Sequence, residues 1–160
     1  MTILELYNRV SQLDTDKIIT ESVDETKDVI LASNKEQLLE GKLSTGADIS
    51  PTYQEDPFFK TPEAAQRYSD WKDKITPNPN RKPGVPNLFI NGFFHNSIKI
   101  ELQGDAITYS SNVALGGKIQ SKYGDNIYGL NANFKSQYLD NYLSPLIRQQ
   151  IESFTGLKFR

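Results

Sequence analysis

The stretch Ser97–Ser110, SIKIELQGDAITYS, decides the fold class. Ile98, Ile100 and Leu102 alternate with Lys99, Glu101 and Gln103, the two-residue period of a strand with one buried face. Gly104-Asp105 is a two-residue turn signal, and Ala106–Ser110 supplies the return strand. This hairpin, at about 97–111, is marginal in water on its own and must pack on something else. The remaining chain offers mainly helices, so an α+β fold is expected: long N-terminal and C-terminal helices packed on a small antiparallel sheet.

Upstream of the hairpin, Ile3, Leu4, Leu6, Tyr7, Val10 and Leu13 recur at helical spacing. Asp14 and Thr15 offer capping oxygens for a new start. A second helical pattern, weaker in its middle, runs from Asp16 to Glu40 through Ile18, Ile19, Val23, Thr26, Ile30, Gln37 and Leu38. It predicts one long helix of about seven turns, stopped at Gly41.

Residues 41–62 change character. Gly41, Gly46, Pro51, Pro57 and Pro62 punctuate them, with Tyr53, Phe58 and Phe59 between. A loop of this length is uncommon in a compact domain, so its aromatics are expected to pin it down or to meet a partner. Thr61-Pro62-Glu63 is a helix opening, with a hydroxyl cap, proline in the first turn and an acid at the positive end of the dipole. That helix is predicted to reach about Lys74, with Tyr68, Trp71 and Ile75 on one face. Thr76–Pro86, TPNPNRKPGVP, holds four prolines and a glycine, which forbid helix and central strand.

Downstream, residues 113–123 predict a short helix with Gly116-Gly117 inside it. From Asn131 the pattern is helical through Phe134, Tyr138, Tyr142, Leu146, Ile147, Ile151 and Phe154. Ser144-Pro145 predicts a break or kink near Leu143, and Gly156 an end. The expected organisation is one domain, 1–160: a helical region 1–41, a loop-rich region 42–86 with one helix, a hairpin core 87–130, and a C-terminal helical region 131–160.

Composition narrows function by exclusion. The 160 residues carry no cysteine and one histidine, which removes disulfides, thiolate metal sites and cysteine nucleophiles. The N-terminus, MTILELYNRV, lacks the basic and apolar regions of a signal peptide, and no apolar run approaches the ~18 residues of a membrane span. A net charge of −2 with scattered Lys and Arg argues against specific nucleic-acid binding.

His95 lies among Phe94, Asn96 and Ser97, just before the first strand. It reads as a turn residue, and no serine occupies a Gly-x-Ser-x-Gly elbow. A small hydrolase built on His95 needs a Ser or Asp within hydrogen-bond reach. Asp14 and Asp16, and Asp24, Glu25 and Asp28, read as a helix start and a solvated face rather than as metal ligands. Gly116-Gly117-Lys118 lacks the glycine and hydroxyl spacing of a phosphate loop. Catalytic, metal and cofactor residues are therefore expected to be none.

Aromatics make up 11% of the chain, with eight Tyr and eight Phe. Such side chains suit packing interfaces. Phe89, Phe93 and Trp71 are expected in the core. Tyr53, Phe58 and Phe59, with the loop cations Arg81 and Lys82, form the candidate interface.

One region also carries a family-like pattern. Asn87–Ile98, NLFINGFFHNSI, resembles a signature of tailed-phage tail-completion and virion-morphogenesis proteins, with Asn91 where threonine is usual. The hairpin follows, and then Lys122–Leu130, KYGDNIYGL, resembles the lysine-tyrosine-glycine turn and isoleucine-aromatic-glycine-leucine run of the same proteins. Asn34–Gly41, with Gly46, Ile49 and Tyr53, is similar to N-terminal regions of such proteins in phages and prophages of Bacteroides-type bacteria. The resemblance implies an α+β structural subunit, a head–tail connector or neck protein forming a homo-oligomeric ring. Its partners would be the portal or adaptor and tail proteins, and its place the virion. An assembly or host-interaction adaptor outside the virion is the alternative.

Overall fold

The computed structural model describes residues 1–111 and 114–159. In chain order it contains α1 (Ile3–Ser11), α2 (Thr15–Glu25), α3 (Lys27–Leu39), α4 (Pro62–Ile75), α5 (Phe93–Ser97), β1 (Ile98–Gln103), β2 (Ala106–Ser111), α6 (Ala114–Tyr123), a 3₁₀ turn (Asp125–Ile127), α7 (Ala132–Tyr138), a π turn (Leu139–Leu143) and α8 (Ser144–Thr155). The α+β class is as expected. Of the predicted helix at 113–123, Val113 lies outside the described residues.

The two strands pair antiparallel, from Ile98 opposite Ser111 to Gln103 opposite Ala106. Gly104 closes the hairpin at φ +64°, a conformation open to glycine but strained for residues with a Cβ. Alternation then sorts the faces. Ile98 and Ile100 of β1 are buried, while most of β2 is exposed.

β1 is the seam of the interior. Ile98 joins Leu38, Ile49, Val85, Phe94 and Ile127 in one apolar cluster. Ile100, two residues on, joins Val23, Ile30 and Tyr138 in a second. N-terminal and C-terminal helices thus meet over one strand face. Burying each large apolar side chain contributes about 1.5–3 kcal/mol.

The single long helix expected over 16–40 is two helices jointed at Thr26 (φ −104°, ψ 10°). The Thr26 hydroxyl donates to the Ser22 carbonyl at 2.7 Å and meets the Tyr138 hydroxyl at 2.7 Å. With its one proton committed to Ser22, Thr26 must accept from the Tyr138 phenol. The joint is therefore held from α7, 112 residues away in sequence. Gly41 ends the second helix at φ +70°, and a Cβ there would lie 2.6 Å from Val85 Cγ1. Glycine is required at Gly41 for both conformation and space.

Buried amides fix α3 to the segment before α7. Asn34 Nδ2 donates to the carbonyls of Ile127 (3.2 Å) and Gly129 (2.9 Å). Gln37 Nε2 donates to Gly129 O at 3.1 Å, and Gln37 Oε1 accepts from the Asn131 N–H at 2.7 Å. Asn131 in turn caps α7, its Oδ1 accepting from the N–H groups of Asn133 and Phe134.

Near Leu143, where a break or kink is expected, the chain does not break but leaves α geometry for the π turn. Ser144 is helical (φ −63°, ψ −42°) and caps nothing. Its N–H bonds back five residues to Leu139 O, so the chain passes Pro145 through a π turn and stays helical. A widened turn accommodates a proline that cannot donate. Gly156, at φ +76°, ends α8 as predicted.

Candidate functional site

The loop-rich region gathers aromatics around α4. Thr61 caps that helix, its hydroxyl accepting from the Ala64 N–H at 3.2 Å, with Pro62 in the first turn. Tyr68, Trp71 and Ile75, expected on one face, are not the residues that α4 buries. Ala65, Ser69 and Lys72 are. The reason is the nature of the neighbour. The 82–89 segment crosses α4 as backbone, and small side chains let it approach: Gly84 N–H donates to Ser69 Oγ at 3.1 Å, and Lys72 Nζ donates to Phe89 O. Apolar periodicity does not mark a face that meets peptide groups.

Tyr68 and Trp71 are left on the outer flank, where they extend a run of ring contacts. Phe58 meets Phe59 (centroids 5.2 Å apart), Phe59 meets Tyr53 (6.2 Å) and Tyr68 (5.1 Å), Tyr53 meets Tyr68 (5.0 Å), and Tyr68 meets Trp71 (5.4 Å). Several are edge-to-face, a preferred aromatic arrangement. The run is anchored inside by Tyr53 and surfaces at both ends. Phe58 is 77% exposed and Trp71 44% exposed.

The five candidate interface residues therefore divide. Phe58 is a free surface ring, and Phe59 is half-buried behind it. Tyr53 is interior, its N–H donating to Gly84 O at 2.9 Å. Arg81 is also interior: its guanidinium pairs with Asp73 (2.7 Å) and donates to Thr76 O (3.1 Å). Lys82 is exposed but pairs with Asp48 at 2.6 Å, and Asp48 also takes Lys42. The lysine hydrogen bonds, Lys42 first, hold the Asp48 carboxyl below its ordinary range. Tyr53 and Arg81 thus clamp the loops to the body rather than face outward, and the candidate contact surface narrows to Phe58, Phe59 and Trp71. Trp71, expected in the core, belongs to that surface.

A cavity of about 160 Å³ adjoins the inner end of the run. Tyr53, Tyr68 and Lys72 line one side; Pro86, Leu88, Phe89, Ile90, Asn91 and Phe94 another; Leu115, Ile119 and Tyr123 of α6 the third. Leu88 takes φ +54°, strained for a residue with a Cβ. Phe94, not Phe93, is buried here, because the single turn of α5 rotates Phe93 outward. Lys72 is buried to 1% exposure, and burial lowers its ammonium pKa to about 8. Sequence patterning missed it. Its one signal is a lysine in register with Ala65 and Ser69 on the small-residue side of α4.

His95, behind this wall, belongs to α5 rather than to a turn. Its Nε2 lies 3.0 Å from Asn87 O, and Phe89 and Phe94 pack edge-on against the ring. Burial lowers its pKa to about 4, so the ring is neutral at pH 7 and its Nε2–H donates to that carbonyl. This partner is a backbone group, which gives the imidazole the role of holding the 87–95 segment closed. Among the described residues no group of three or more His, Cys, Asp or Glu could hold a metal ion, and no helix is long and apolar enough to cross a membrane.

Comparison with protein-family models, with curated proteins and with solved structures finds no match to this chain.

Proposed function

We propose that this chain is a structural virion subunit of a tailed phage, a head–tail connector, neck or tail-completion protein that assembles into a ring between portal and tail. The observation that carries the reading is the aromatic run ending at exposed Phe58 and Trp71. Large aromatic side chains on a pre-packed base lose little entropy on docking, which makes them anchors of protein–protein contacts. Around them the loops are already fixed by the Arg81–Asp73 and Lys82–Asp48 pairs. The family-like patterns at Asn87–Ile98 and Lys122–Leu130 support the reading of the assembly, and the surface described above suits a subunit that joins one.

Native mass spectrometry tests this, first on the chain alone and then with its portal, adaptor and tail neighbours. A closed oligomer is the expected result, and Phe58→Ser combined with Trp71→Ser should shift it to monomer without unfolding it. A chain that stays monomeric beside those neighbours overturns the reading.

A further inference from the structure

We propose that the cavity between α4, the 86–91 segment and α6 binds a small monocarboxylate with an aromatic or branched apolar body, its carboxylate seated on Lys72 Nζ. The Lys72 ammonium has hydrogen-bonding capacity to spare. An ammonium has three N–H donors. Lys72 has one acceptor among the described residues, Phe89 O, and no carboxylate within ion-pair distance. The adjacent acid, Asp73, is held by Arg81. A buried cation without a counter-ion is costly, and an incoming anion removes that cost.

The rest of the cavity selects what carries the anion. Leu88, Phe94, Leu115 and Ile119 make it apolar. Its volume of about 160 Å³ is that of a space which holds a single benzene-sized ring. One cation and no arginine at the lining suits a singly charged carboxylate and not a phosphate, which calls for more donors. Leu88 supports the assignment independently. It lines the cavity and holds a left-handed backbone, and strain of this kind persists where the surrounding structure shapes a site.

The pH response follows from the groups around Lys72. His95 is already neutral above about pH 5, given its pKa of about 4. The Tyr53, Tyr68 and Tyr123 hydroxyls are all pushed up from their ordinary range, chiefly by burial, and remain neutral. Lys122, paired with Asp56, is shifted upward despite its desolvation and keeps its charge. The Arg81 guanidinium is paired with Asp73. Lys72 is the member of this set whose charge changes as pH rises through about 8.

Benzoate is the probe, with benzyl alcohol as its uncharged counterpart, both titrated into the full chain by calorimetry or NMR. Benzoate should bind about 10–100-fold more tightly than benzyl alcohol at pH 7, the factor that a hydrogen bond to a charged group contributes. That preference should fade between about pH 7 and pH 9 in the unmodified protein. Lys72→Met should lose benzoate and keep benzyl alcohol. Equal affinity for the two probes, no benzoate binding at about 10 mM (a free energy near 2.7 kcal/mol), or an affinity flat across that pH range overturns the proposal. The pH series needs no variant, so a Lys72→Met chain that fails to fold does not shield it.

Discussion

Two buried bases set the chain's response to acid and alkali, and both act against their charged forms. His95 has its pKa lowered from 6.5 to about 4, mainly by desolvation. The unfolded chain therefore takes up a proton before the folded one. The stability that the neutral ring contributes is complete above about pH 6.5 and is lost as pH falls toward about 4, a loss of roughly 3 kcal/mol. Urea midpoints measured at both ends of that window should converge between wild type and His95→Gln on acidification. An identical acid response in the two proteins would show that His95 is not titrating from a buried neutral state. Lys72, lowered from 10.5 to about 8, has the same sign at higher pH. Its burial costs stability most below about pH 8, and the cost disappears by about pH 10.5. Lys72→Met should stabilise the chain at pH 7 by about 1–3 kcal/mol while losing the carboxylate preference.

At the scale of elements, α3 is the part most tightly bound to distant sequence, and amides bind it. Gln37 joins Gly129 O and the Asn131 N–H, and Asn131 starts α7. Gln37→Leu keeps the volume but orphans a buried N–H, at a cost of about 2–3 kcal/mol. Its urea midpoint should fall accordingly, and an unchanged midpoint would mean that water satisfies Asn131 instead. The same bond explains what sequence could show and what it could not. Gln37 sits in register with Ile30 and Leu38, so its place on the buried face was readable; its partners, more than 90 residues away, were not. The hairpin and the start of α4 were legible because strand alternation, Gly104 and the Thr61-Pro62 cap act within a few residues. The joint at Thr26 depends on Tyr138, and the buried face of α4 on the backbone of 82–89. Neither leaves a periodic trace. The aromatic surface was half legible: Phe58 and Phe59 were, but Trp71 has the spacing of a core residue. The cavity draws its walls from several separate stretches and has no local signature.

For the whole molecule, the distribution of burial sets a hierarchy of stability with α1 at the bottom. No residue of α1 is buried, and Ile3, Leu4 and Tyr7 are among the most exposed large apolar side chains of the chain. A nine-residue helix is marginal in water even with favourable propensity. What holds α1 is a cap and one edge contact. Thr2 and Glu5 form a capping box, and the helix lies beside the end of α8, where Arg9 Nη1 would be 3.2 Å from a Cβ at Gly156. α3, by contrast, reaches both apolar clusters through Ile30 and Leu38. Hydrogen exchange of the isolated chain should therefore find α1 opening freely and α3 opening only with global unfolding. Removing residues 1–12 should lower the unfolding free energy by less than about 1 kcal/mol, the scale of surface changes. In an assembled ring the outcome depends on whether the apolar face of α1 is used. If neighbours cover Ile3, Leu4 and Tyr7, exchange in α1 slows on assembly and the truncated chain assembles poorly despite its intact fold. If α1 exchanges equally fast in both states, the contacts belong to the Phe58–Trp71 surface alone, and truncation leaves the oligomer unchanged.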